Sequence, residues 1–235
     1  MRFVRPSILS SDDPCYNKSM KQRSYWRKRI ALPHISTRSA LMLIVLYVLG
    51  VFATAIYVTN DPNWSRWHIS YLGEHPGLGA DIFNYGVMFG GVIMVWFSFR
   101  MHAYLMGENQ RRVDVPRIRA TGVSLILLLI AIGVYGVGMF PLQYGNLPHD
   151  IFGYSIYVLC LVLCIASPWL LPGMRRRFYL IPYVFHLLIF AIFVLFWANI
   201  SESMYLAEVT TFLSLIWWLD MVTSGRMYRD NSLLS

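Results

Sequence analysis

The chain has 235 residues, of which 57% are hydrophobic and only 14% charged, against the roughly 25% charged that is usual for globular domains. A soluble core of this size could not hide that much apolar surface, so lipid must cover part of it. The net charge of +8 sits in short clusters between long uncharged runs, which points to a membrane surface and away from nucleic acid.

The chain opens on a basic tail, 1–38, with Tyr25, Trp26 and Ile30 interleaved among its cations. Its polarity leaves no room for a secretory signal peptide. Such a tail can lie on the anionic lipids of the inner leaflet, at roughly 1 kcal/mol per basic residue near the surface. A membrane-spanning helix needs about 20 apolar residues, and six runs qualify: Ser39–Tyr57, Ile82–Phe99 extended toward Met106, Ala120–Phe140, Ile151–Leu171, Phe178–Ala198 and Ser203–Leu219. The last is the shortest and carries Glu208. Each must be helical, because lipid offers the backbone no hydrogen-bond partner. The expected fold is all-α: a polytopic six-helix bundle over 39–222, with a short tail at 223–235.

Lysine and arginine counts set the orientation. Nine precede the first span; Arg100, Arg111, Arg112, Arg117 and Arg119 flank the second loop; Arg175–Arg177 form the fourth; Arg226 and Arg229 follow the last span. The opposite side has Arg66 alone. This alternation places both termini in the cytoplasm, in a multi-pass protein expected in the cytoplasmic (plasma) membrane. Tryptophan agrees with it: Trp64, Trp67 and Trp197 fall at the outer boundary, and Trp26, Trp169, Trp217 and Trp218 at the inner one, where indole rings anchor at headgroup level.

Gly86 and Gly90 form a G-x-x-x-G in the second span, and Gly122, Gly133, Gly136 and Gly138 stud the third. Small residues let helix backbones approach closely, so these two spans are expected to be tightly packed neighbours, with Gly86/Gly90 also a possible seam for a homo-oligomer. Pro168 and Pro182 are expected to bend the fourth and fifth spans. Cys160 and Cys164 lie inside an apolar run and, like Cys15, suggest no disulfide framework; they read as small packing residues.

Polar residues inside spans cost roughly 2.5–3.5 kcal/mol on insertion scales and therefore face the bundle or a wet cavity. On the outer side, the first loop carries His68, Ser70, Glu74, His75 and Asp81, with Asn84 opening the next helix; the second ends in His149 and Asp150; Glu202 opens the last span, with Glu208 six residues further in. Ser70, Asp81, Asn84, His149, Asp150 and Glu208 are candidates for one outward-facing, ligand-binding vestibule. The competing reading is that Asp81, Asp150 and Glu202 simply complement helix dipoles. Glu208, roughly 9 Å below the outer edge, would instead need a partner or a pocket. His186 is the remaining intramembrane polar candidate and reads first as a packing residue.

No span carries paired ligands at metal-binding spacing, and no P-loop, dinucleotide fingerprint or nucleophile elbow is present. Neither a metal nor a cofactor is therefore expected. The N-x-S sequons at Asn63 and Asn199 lie too near the membrane to matter.

The run HISYLGEHPGLGADIFNYGVMFGGVIM and the later GMFPLQYGNLPHDIFGY resemble a prokaryotic six-helix integral-membrane domain of unknown function (DUF998-like), distantly similar to the Frag1/DRAM/Sfk1 group. The resemblance runs from about Ala40 to Leu219. It implies a six-helix fold with cytoplasmic ends and an association with lipid handling, but no defined chemistry. Three functions follow as expectations: a non-enzymatic protein that binds a lipid or small amphiphile or organises a membrane partner, a small proton-coupled transporter using Glu208 and His186, or a lipid-modifying enzyme built on His149, Asp150 and Glu208.

Overall fold

In the computed structural model, residues 35–224 are described, apart from 65, 67, 108–114, 143–144, 172–175 and 199–203. Residues 1–34 of the basic tail, with Trp26 and Cys15, lie outside the described residues, as do Trp67, Arg111, Arg112, Arg175, Asn199, Glu202, Arg226 and Arg229. Six long helices follow one another: α1 (Thr37–Thr59), α2 (Leu78–Leu105), α3 (Arg117–Met139), α4 (Asn146–Leu170), α5 (Arg176–Trp197) and α6 (Tyr205–Thr223). A short 3-10 helix, Ile69–Gly73, interrupts the first loop.

Five of the six helices are long and apolar enough to cross a membrane, α6 included. In α5 the corresponding apolar stretch among the described residues is Tyr183–Trp197. The structure is a helical membrane bundle, and its helices turn large apolar side chains outward, such as Leu46, Phe89, Phe99, Leu129 and Leu187. In water such a surface would drive aggregation; in a bilayer it is the solvated face. Pro168 lies inside α4, close to its end, and Pro182 falls within α5.

The helix ends confirm an even number of crossings. Arg38 at the start of α1 pairs with Asp220 near the end of α6, Nε to Oδ1 at 2.9 Å. Tyr104 at the end of α2 shares its hydroxyl proton between the carbonyls of Val222 (3.1 Å) and Thr223 (3.2 Å). These ends therefore lie on one side, the one that the basic residues assign to the cytoplasm. On the opposite side the backbone N–H of Ile69 donates to Glu208.

Packing is uneven around the bundle. The most extensive interface is between α2 and α3, followed by α1 with α2 and α3 with α4, whereas α6 meets α1 and α4 sparingly and leans chiefly on α5. The α2–α3 crossing is a backbone contact: a Cβ added at Gly91 would lie 2.7 Å from the Tyr135 nitrogen and 2.9 Å from the Ala131 carbonyl oxygen. The glycines of the second and third spans thus act where close approach requires them. Gly86 faces the Val51 side chain and Gly90 faces Tyr47, so within this chain the G-x-x-x-G face seats α1.

The structure corrects one anchor. Trp218, expected at headgroup level, is 1% exposed, and its indole N–H donates to Ser167 Oγ at 2.9 Å. Ser167 in turn donates to the Leu163 carbonyl at 2.6 Å. A buried indole needs an acceptor for its N–H, and α4 supplies one, so Trp218 ties α6 to α4. Trp169 and Trp197 remain exposed.

Gly91→Ala should lower stability by about 1–3 kcal/mol, the usual cost of overpacking, because the clash is with backbone that cannot rotate away. At Gly50, where an added Cβ meets nothing within 4 Å, the same change should be neutral or stabilising by up to about 1 kcal/mol. Unfolding of both variants in detergent micelles measures the contrast.

Candidate functional site: a capped apolar cavity

Because α6 stands off from α1 and α4, the bundle holds a partly open cavity of about 220 Å³. An engineered apolar cavity of about 150 Å³ already takes up benzene. Its walls come from α1, α2, α3, α4 and α6, with Ile44, Phe52, Met94, Ile130, Ile156 and Leu215 among them. Its residues run from Glu208 to Leu219 along α6, about 16 Å at 1.5 Å per residue. The cavity is therefore a slot parallel to the helices.

Two of the polar groups along its walls are already engaged, one by its own helix and one by a neighbour. Thr211 donates to the Ala207 carbonyl at 2.8 Å, and Tyr47 to the Gly86 carbonyl at 2.8 Å. At the outer end the slot is lined by Ser70, His149 and Glu208, with Tyr157 on the α4 wall.

The first loop forms a cap over that end. Leu72 is buried in a cluster with Ala55 and Phe83, against which Phe52, Ile56, Trp64 and Ile69 pack. Asn84 Nδ2 donates to the Gly73 carbonyl at 3.1 Å, fastening the 3-10 helix to α2. His68 Nδ1 lies 3.0 Å from Ser70 Oγ. The N–H of Ile69 donates to Glu208 Oε2, which joins the cap to α6. His149 Nδ1 lies 2.9 Å from the Phe140 carbonyl. A carbonyl only accepts, so Nδ1 carries the proton and Nε2 of the neutral ring is left as an acceptor.

Of the six vestibule candidates, Ser70, His149 and Glu208 meet at the slot. Asn84 is buried and holds the cap. Asp81 is exposed in the first turn of α2, and Asp150 is half-buried on α4; neither lines the slot. Glu208 was expected well inside its span, but α6 begins at Tyr205, which puts Glu208 in the first turn. The dipole at that end favours its charge, and it has both a donor and a cavity. His186 is buried on α5 and lines no part of the slot. The apolar walls, Tyr47, Tyr157 and Cys160 among them, went unidentified in the sequence, because an apolar wall residue looks the same as a lipid-facing one. Among the described residues no group of three or more His, Cys, Asp or Glu side chains could hold a metal ion.

Residues 42–225 match the family described as "Protein of unknown function (DUF998)". The chain belongs to the DUF998 family. No curated protein and no solved structure matches it. Among the described residues, all those lining the slot except Leu41 fall inside the DUF998 segment.

Burial holds the pKa of His68 below its ordinary value of 6.5; the nearby His149 also lowers it, while Glu74 and Asp150 pull the other way. The folded protein thus binds this proton more weakly than the unfolded chain. The stabilisation is complete above the unfolded value and is lost as the pH falls through the folded one. Lowering the pH from 7.5 to 5.5 should therefore destabilise the cap of the wild type more than that of His68→Gln, as read by amide hydrogen exchange at Ile69–Gly73.

Proposed function

We propose that this DUF998 protein binds a membrane lipid or single-chain amphiphile, with the apolar chain in the slot and the polar head beneath the cap. The observation that carries this reading is the distribution of polarity: about 16 Å of apolar wall ending in Ser70, His149 and Glu208. Single C–C bonds of about 1.5 Å advance an extended chain by roughly 1.3 Å each, so a slot of that depth takes about a dozen methylenes. Each buried methylene holds the chain against escape into water by about 0.8 kcal/mol, whereas against the bilayer, whose tails are as apolar as the slot, retention rests on packing in the slot and on the polar head. A basic tail suited to the anionic lipids of an inner leaflet would place the protein beside such ligands.

The rival activities find less support. A carrier using Glu208 and His186 would want both side chains on one path, yet His186 lies apart from the slot. A lipid-modifying site built on His149, Asp150 and Glu208 would want all three at one point, and Asp150 does not line the slot.

Gly153 lines the slot, and an added Cβ there meets nothing within 4 Å. Gly153→Leu, whose Cβ meets no neighbour, should therefore extend a side chain into the cavity and, through helix propensity, stabilise α4 by up to about 1 kcal/mol. The expected outcome is a folded protein that no longer carries the lipid seen with the wild type by native mass spectrometry. Equal lipid content in the two proteins would refute the proposal.

A further inference from the structure

Resting on the lipid-binding reading, we infer that the headgroup taken by this slot is a primary ammonium: the preferred ligand is a single-chain cationic amphiphile of the alkylamine or sphingoid-base class. The argument is charge complementarity. Among the described residues no lysine or arginine lines the slot, whereas Glu208 does. A carboxylate lining an apolar cavity requires compensation, and the Ile69 N–H supplies it to Oε2 alone, a bond that does not engage Oε1. An anionic head would meet a carboxylate with no cation to offset the repulsion.

The remaining groups suit an ammonium as well. The carbonyl of Phe140 holds a His149 proton on Nδ1, so that in the neutral imidazole Nε2 presents a lone pair. Ser70 Oγ can accept, with His68 Nδ1 beside it at 3.0 Å to complete its bonding. An ammonium has three N–H donors and no acceptor, and the end of the slot offers a carboxylate oxygen, an imidazole nitrogen and a hydroxyl oxygen. A hydroxyl head can donate a single bond to this set and gains nothing from the charge.

The experiment uses the full chain in nanodiscs of zwitterionic lipid and three probes that share a twelve-carbon chain: dodecylamine, dodecan-1-ol and dodecyl phosphate. Dodecylamine should bind about ten-fold or more tighter than dodecyl phosphate, with dodecan-1-ol between them, as expected for a paired against an unpaired buried charge. Glu208→Gln, whose amide oxygen can still accept from Ile69, should bring the amine to the level of the alcohol. Equal affinity for the three probes, or preference for the phosphate, would overturn the ammonium assignment and leave the lipid-binding reading standing. Failure of all three to bind the folded protein would remove the lipid-binding reading itself. Should Glu208→Gln not fold, the ranking of the probes on the wild type decides alone.

Discussion

A carboxylate beside an apolar cavity must find a donor, and in this chain the donor is the backbone of a loop distant in sequence. Glu208 accepts the N–H of Ile69, and that one bond connects the last helix to the segment lying over the bundle. From it follow the position of Ser70 at the mouth of the slot, the burial of Leu72 against α1 and α2, and the seating of the 3-10 helix on Asn84. The same acidic side chain thus organises the cap and gives the slot its sign of charge.

The slot itself arises from two kinds of helix contact. Between α2 and α3, glycine lets backbones touch, and dispersion contacts close the interface completely. Between α6 and the helices α1, α2 and α4 the contacts are discrete: Trp218 on Ser167, Tyr104 on the last carbonyls, Arg38 on Asp220. These polar ties gather at the C-terminal end of α6 and act as a floor. Above them α6 is held away from α1 and α4, and a void persists where neither glycine contact nor hydrogen bonding draws the helices together.

The six helices, their alternation and the close α2–α3 pairing were legible in the sequence, because hydrophobic length, positive charge and glycine spacing report directly on the bilayer and on backbone approach. The site was legible in part. Ser70, His149 and Glu208 stood out as polar groups near the outer boundary, but Asp81 and Asp150 looked the same by that criterion and differ only in the direction they face. Trp218 misled for a related reason: its place near a span end matches an interfacial anchor, and its burial depends on Ser167, far away in the chain. The void left no trace, since a missing contact between α6 and its neighbours imprints no pattern on either helix.

The peripheral place of α5 carries a consequence for descent. It packs mainly on α4 and α6, and none of its described residues borders the slot. Selection for the contents of the slot therefore reaches α5 only through the support it lends α6. Its bilayer-facing positions are free to drift with the thickness and composition of whatever membrane a lineage inhabits, so DUF998 chains should diverge along α5 sooner than along the five helices that form the wall.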